Sequence, residues 1–252
     1  MIRIIPHSHR ITANISDGIG DTSDMPNLPA PIFADKKLTV SADGSVTFYN
    51  MAYEETYRAK SVGAFTESCH KFVNASGILN KAKLKDVRIL DLCFGLGYNC
   101  AVTFDYANRD SSRHKIHIVS IEKDAHLPVL VADLKILWPV EGFRIVRGCL
   151  KNGFSGRFSM EMYLMEALIA IYNISGVFDA IYFDPFSISK NPEMWTTDVF
   201  RRMRELLADD GALVTYACGK TVRGNMTQAG LKIGNIETVR GAFLPGTKAT
   251  PA

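Results

Sequence analysis

This 252-residue chain lacks most of the features that would assign it quickly to a class. Its five cysteines, Cys69, Cys93, Cys100, Cys149 and Cys218, are odd in number and never stand as CxxC. That excludes a disulfide framework and a structural zinc site, and it fits a reducing cytoplasmic compartment. A secretory start is missing, since "MIRIIPHSHRITANISDGIG" holds no sustained apolar core before its polar run. So is a membrane span: the most apolar segment, residues 160–178, is interrupted by Glu161, Glu166 and Asn173, and reads as a buried helix. Charge of one sign is scarce as well. A formal +3 and a pI near 8.5 permit a polyanionic partner without demanding one. No internal repeat is visible, no Walker-type GK[ST] offers a triphosphate site, and nothing sets an oligomeric state.

What is present is a chain 47% hydrophobic and 22% charged, enough for one sizeable core. Residues 1–33 are rich in Ser, Asp, Asn, Gly and Pro without periodicity, and are expected to be a flexible leader. Residues 34–85 form a lead-in. Asp43 and Gly44 separate two alternating apolar runs, the signature of a β-hairpin, and a helical or irregular stretch follows. From residue 86 to 252, short runs rich in β-branched and aromatic residues alternate with segments long enough for crossover helices: "VRILDLC", "KIHIVSIE", "FRIVRGC", "FDAIYFD" and "GALVTYAC". This alternation predicts an α/β domain, a mostly parallel sheet with helices on both faces. Residues 160–172 are expected as an additional apolar helix, and the terminal strand as short or incomplete.

"VRILDLCFGLGYNC" (residues 87–100) carries the chemistry. Gly95 and Gly97 fall where the first strand of the domain turns into its helix, the place where such sheets bind ligands, and Asn99 is placed to cap that helix. By itself GxG is an ordinary tight turn. Its setting adds more. The strand before it ends near Asp91 and the next ends at Glu122, where a carboxylate accepts hydrogen bonds from ribose hydroxyls. Cys100 stands where a dinucleotide fingerprint wants its last glycine, so a pyrophosphate is disfavoured. Two acids suit an adenosine with a cationic amino-acid tail, and S-adenosyl-L-methionine fits that charge logic. Further on, "FDAIYFDPFSISKNPEMW" puts Asp184 at a strand end, expected on the same rim as Asp91 and Glu122. Phe186 in the following loop is a base-stacking candidate, while Met194 and Trp195 read as packing.

The motifs "DLCFGLGYN" and "FDAIYFDPFSISKNPEMWT", with the upstream "DGSVTFYNMAYEETYRAKSVGAFTES", resemble the methyltransferase domain family of the bifunctional tRNA modification enzyme MnmC. The resemblance runs from about Asp43 through "VRGNMTQAGL". It implies a class I S-adenosylmethionine-dependent methyltransferase fold, Rossmann-like, with a small N-terminal β-hairpin extension. It also implies methylation of the exocyclic amine of 5-aminomethyl-2-thiouridine at the tRNA wobble position. Carried over by motif, Asp91, Gly95, Gly97, Asn99 and Glu122 are cofactor contacts, joined by Glu67 of the upstream element "GAFTE". Asp184 is the catalytic candidate where methyl and amine meet, and Phe186 and Tyr57 are substrate contacts. A flavin-dependent oxidase, fused in the bifunctional relatives, is here implied as a separate partner. In "RIVRGCLKNGF", Cys149 stands where many relatives have an acid after the third strand, so the adenine-side contact is left unassigned.

Methyl transfer needs alignment and a free amine, so Asp184 is expected to hold the amine and take its proton. Lys190, Arg201, Arg202, Arg204, Lys220 and Arg223 are the candidate tRNA contacts. Two other functions stay open at this level. An aminopropyltransferase of the polyamine-synthase type would use the same sheet with a more acidic cleft, and a non-catalytic nucleoside-binding scaffold would dock a partner through the helix near Leu164.

Overall fold

The computed structural model describes residues 35–134, 137, 139–236 and 246–252, so the expected leader lies outside the described residues. The chain opens with a three-stranded antiparallel sheet, β1 (Lys36–Val40), β2 (Val46–Asn50) and β3 (Glu55–Thr56). The hairpin expected around Asp43 is its first half, paired from Lys36↔Asn50 to Val40↔Val46. Helix α1 (Ala64–Glu67) follows, continues through a π-helical stretch (Ser68–Asn74), and is succeeded by α2 (Ile78–Ala82).

The tip of the hairpin is locked to the start of α1 through one carboxylate. Asp43 Oδ1 accepts from the backbone N–H of Ser45, and its Oδ2 accepts from the N–H of Thr66 at 2.9 Å. Ser45 Oγ in turn accepts from Ala64 N–H at 2.8 Å. These bonds hold the Asp43 carboxyl below its usual range, although burial pushes the other way. Gly63 makes the approach possible. Its φ is +114°, and a Cβ there would overlap the Asp43 carboxyl group.

The main sheet has eight strands, with the short β6 (Phe154–Ser155) at one edge and β10 (Leu231–Asn235) and β11 (Thr247–Pro251) at the other, in the order β10-β11-β9-β8-β4-β5-β7-β6. Its parallel centre is β4 (Val87–Leu92), β5 (Ile116–Glu122), β7 (Phe158–Leu164), β8 (Phe178–Phe183) and β9 (Leu207–Thr215). The chain runs outward from β4 to β5 and β7, then returns to place β8 on the other side of β4. That reversal creates the crevice in which open α/β sheets take ligands. Helices α3 (Tyr98–Asn108), α4 (His126–Asp133) and α5 (Val140–Asn152) pack on one face, where Phe104, Phe143 and Val146 meet Ile89, Ile118 and Tyr182. Helices α6 (Ala167–Asn173), α7 (Thr197–Leu206) and α8 (Lys220–Gln228) pack on the other, with Ile171, Phe200 and Met226 against Leu90, Ile121 and Phe183. Among the described residues, no helix is long and apolar enough to cross a membrane.

Three expectations are corrected. Residues 143–149, "FRIVRGC", are helix rather than strand: they lie inside α5, whose buried residues Gly142, Phe143, Ile145, Val146, Cys149 and Leu150 follow a helical stripe. The strand beside β5 is instead β7, so residues 160–172 are not one apolar helix but the end of β7 followed by α6. In β7, buried Phe158, Met160 and Met162 alternate with half-exposed Ser159, Glu161 and Tyr163. Finally, the last strand is fully paired. β11 (Thr247–Pro251) lies antiparallel between β10 (Leu231–Asn235) and β9.

The contact between Asp43 and Gly63 is directly testable. Replacing Gly63 with Ala should lower unfolding free energy by roughly 2–4 kcal/mol, because overlap and positive φ both oppose a side chain there. Urea denaturation followed by circular dichroism reads the change, and a loss below about 0.5 kcal/mol, the usual surface-substitution range, would contradict the interlock.

Candidate active site

Pleat and register decide which acids reach the rim of the sheet. In a strand, alternate side chains share a face, and Asp91, Glu122 and Asp184 all fall on the parity that faces α3. Asp91 pairs across the sheet with Ser120 on β5 and Tyr182 on β8, so it is level with residues two positions before Glu122 and Asp184. It is therefore one pleat deeper, about 7 Å along the strand. The expectation that it joins the rim is corrected: Asp91 is fully buried and is not among the residues lining the cavity. Its Oδ2 accepts from Cys100 Sγ of α3 at 3.2 Å and from Ser120 Oγ at 3.1 Å, while Oδ1 has no partner among the described residues. Burial raises its pKa.

The rim itself surrounds a cavity of about 480 Å³ at the carboxyl ends of β4, β5, β7 and β8. Glu122 is fixed on one side by two backbone donors, Asp124 N–H to Oε1 and Gly95 N–H to Oε2, both 2.9 Å. Burial outweighs these bonds and pushes its carboxyl up to about 7. The turn that presents Gly95 is tightly wound. Cys93 sits at φ +70° and Gly97 at φ +73°, and a Cβ on Gly97 would come within 2.6 Å of the Phe94 ring. Gly97 caps α3 by its backbone and lies outside the cavity wall. Asn99 does not cap the helix, as the sequence suggests. From the second position of α3, its Nδ2 donates to Asp184 Oδ2 at 3.1 Å.

Asp184 is the most elaborately held group in the site. Its Oδ2 also takes the guanidinium of Arg58, Nη2 at 2.7 Å, and both side chains are nearly buried, at 7% and 5% exposure. No bond to Oδ1 is made among the described residues, and the side chain lines the cavity. Burial drives its carboxyl up to about 8; Arg58 opposes that rise, and Glu67 and Asp91 add to it. The loop after β8 is pinned from behind. Tyr216 Oη donates to Pro185 O and Trp195 Nε1 to Phe186 O, each at 2.9 Å. Trp195 thus both packs and positions the loop. Phe186 faces the cavity, stacked on Tyr53 with ring centroids 4.5 Å apart and tilted against Tyr57 at 5.2 Å. Tyr57 accepts from Asn50 Nδ2, and burial raises its hydroxyl pKa.

Glu67 lines the same cavity and is buried. Its Oε2 accepts from Ala59 N–H, and Lys71 lies 3.5 Å from its Oε1. Among the wall residues not anticipated from sequence are Arg58, Tyr53 and Glu166. Arg58 and Tyr53 stand inside the "MAYEETYRAK" stretch, whose functional signal rests on charge and aromaticity in an irregular segment. Glu166 follows β7, so with Ala167 and Leu168 it occupies the position past the third parallel strand that Cys149 was assigned while α5 was read as that strand. Cys149 is buried in α5, bonded to Phe158 O, and absent from the cavity wall.

A family model described as S-adenosyl-L-methionine-dependent methyltransferase matches residues 138–243. Two similar curated proteins are named tRNA 5-methylaminomethyl-2-thiouridine biosynthesis bifunctional protein MnmC. That of Azoarcus sp. (strain BH72) is 27% identical over an alignment covering 90% of this chain and 38% of the relative. That of Paraburkholderia phymatum is 26% identical, covering 76% and 32%. The chain spans about a third of the length of these relatives. The crystal structure of MnmC2 from Aquifex aeolicus superposes with a TM-score of 0.74 at 32% identity, over 85% of this chain and 69% of that one. At that identity and coverage the chain belongs to the MnmC-type family of S-adenosyl-L-methionine-dependent methyltransferases.

Proposed function

We propose that the protein methylates the exocyclic primary amine of a modified wobble uridine in tRNA, converting 5-aminomethyl-2-thiouridine to its 5-methylaminomethyl form. The observation that carries this reading is Asp184, which lines the cavity with one carboxyl oxygen held by the Asn99 amide and paired with the Arg58 guanidinium. The printed names of the MnmC relatives support the substrate. So does the wall, where carboxylates outnumber cationic side chains and favour a cationic amine. In this reading the amine is supplied by a flavin-dependent oxidase.

The residues present fit the donor. Glu122, oriented by two backbone amides, keeps lone pairs for a pair of ribose hydroxyls, and Gly95 leaves the backbone open beside it. Glu166, Ala167 and Leu168 flank the adenine side, and Glu67 with Asp184 faces the cationic end. When bound, S-adenosylmethionine supplies an electrophilic methyl on a sulfonium. Asp184 Oδ1 first receives a proton from the ammonium. That proton transfer frees the amine lone pair to receive the methyl that the donor would supply. Phe186, Tyr53 and Tyr57 give the base an aromatic face and exclude water. Gly97, Asn99 and Asp91 act one layer back, shaping the turn and holding the acids.

The expected tRNA contacts are mostly engaged. Lys190 pairs with Glu54 at 2.7 Å, Arg201 with Asp198, Arg204 with Asp209, Arg202 binds the carbonyls of Ile171 and Ile174, and Arg223 binds Thr247 and Gly246. Lys220, exposed at the start of α8, makes no such bond among the described residues. The acidic wall also favours a second reading, alkylation of a polyamine.

Offering the full chain methyl-labelled S-adenosylmethionine with undermodified tRNA and, separately, aminopropyl-labelled decarboxylated S-adenosylmethionine with polyamines distinguishes the two. Label should enter the tRNA nucleoside, and transfer to polyamine alone would overturn the tRNA reading. Asp184→Asn should cut turnover by about 10²–10⁴-fold with donor binding retained, and unchanged turnover would remove the proton-acceptor role. Donor binding should strengthen as pH rises through about 7, because ionised Glu122 accepts stronger hydrogen bonds, and more of them, from the ribose hydroxyls than the protonated carboxyl does. Glu122→Gln should weaken binding roughly 10- to 100-fold and flatten that dependence in calorimetric titrations.

A further inference from the structure

The ion pair beneath the cavity has an arrangement that a purely structural bridge does not need. Arg58 lies in the irregular segment after β3 and reaches across to the end of β8, burying both partners. Only Nη2 meets the carboxylate, so the pair is not a two-pronged fork. Nη1 is buried with no partner among the described residues, a configuration that costs stability rather than adding it. The guanidinium also lies over the Phe72 ring, 5.3 Å from its centroid, which fixes its plane. Asn99 approaches the same Oδ2 from α3. Both donors converge on one oxygen and leave the other unclaimed.

We propose that Arg58 is the positioning residue for Asp184, holding Oδ2 together with Asn99 so that Oδ1 alone is presented to the substrate amine. This rests on the reading of Asp184 as the proton acceptor. The groups that face Asp184 explain why a cation is required. Glu67 from α1, Asp91 from β4, Cys93 from the glycine turn and Tyr216 from beyond β9 all interact with it electrostatically, and each would be negative when ionised. Lys71 is committed to Glu67. Arg58 is the cation in contact with Asp184, and it opposes burial in setting where that carboxyl titrates. Without it, the carboxyl would titrate higher still, leaving a smaller ionised fraction at any working pH, and it would be free to turn its other oxygen toward the cavity.

The test separates position from mere stability. Carbon-13 labelling of aspartate in the full chain, without donor, reports the Asp184 carboxyl directly, its signal identified by its loss in Asp184→Asn. Arg58→Met should move that titration upward by at least about one pH unit, a tenfold change in the ionised fraction below the midpoint. Arg58→Lys, which keeps the charge, should move it less and carries the test if Arg58→Met does not fold. The acid limb of kcat/KM should shift by the same interval, measured against the Asp184→Asn profile, which isolates ionisation of the amine itself. An unmoved carboxyl signal, or a loss of activity by one constant factor at every pH, would overturn the inference. A shifted signal in a protein whose Asp184→Asn form stays active would instead uphold Arg58 and refute Asp184 as the acceptor.

Discussion

A buried ion pair joins two parts of the chain that share no strand pairing. The three-stranded sheet β1–β3 forms no ladder with the eight-stranded one, so its placement over the cavity depends on side chains. Arg58 to Asp184 is the most deeply placed of these ties. Lys36 to Asp124 at 2.6 Å and Glu55 to Ser187 frame it at the edges. Buried pairs rarely stabilise a fold more than apolar packing would, because desolvation offsets their attraction, yet removing one partner is severe. The pair is therefore better understood as specifying where the small sheet sits than as a source of net stability. What it specifies is the cavity: segment 50–59 becomes one wall and the loop after β8 the other.

The charge inside that cavity bears on how a polyanion would approach. Phosphates are repelled by a wall rich in carboxylates, whereas a sulfonium and an ammonium are both attracted. In the proposed reaction the cationic charge passes from sulfur to the amine nitrogen, so the acids face one positive centre before and after transfer. The sulfur product, now neutral, loses part of its hold, which favours its release. The tRNA backbone would have to stay outside, with one nucleoside reaching in past Tyr53 and Phe186. Since most basic residues near β8 and β9 are already paired on the protein, any phosphate contact there would have to compete with existing ion pairs.

How much of this was legible in the sequence follows from which signals are local. Strands β4, β5, β8 and β9 announce themselves because β-branched and aromatic residues cluster and are bounded by turns. Residues 143–149 carry the same composition, yet their buried positions recur at helical spacing, with Arg144, Arg147 and Lys151 between them. Period should have outranked propensity there. Residues 158–164 present the opposite case, an alternating pattern masked by two methionines and by the apolar helix that follows directly. Misplacing that strand also misplaced the adenine side, which is why Glu166 went unnoticed. Arg58 was out of reach for a different reason: its partner lies on another element, and no local pattern indicates that an exposed-looking arginine will be buried.

Asp91 shows why strand-end acids cannot be counted as ligands by position alone. It stands one residue from the end of β4, and an offset of two residues, one pleat, separates this interior carboxylate from Glu122 and Asp184 at the rim. Because β4 lies between β5 and β8, its register against both is fixed by ladders on either side, and Asp91 has no freedom to slide outward. Its depth gives it other work. Through Cys100 it holds the first turn of α3, the turn from which Asn99 reaches Asp184, and its charge lies within the field of Arg58. The acid that seemed closest to the glycine turn thus acts on the site through the elements that position the other two.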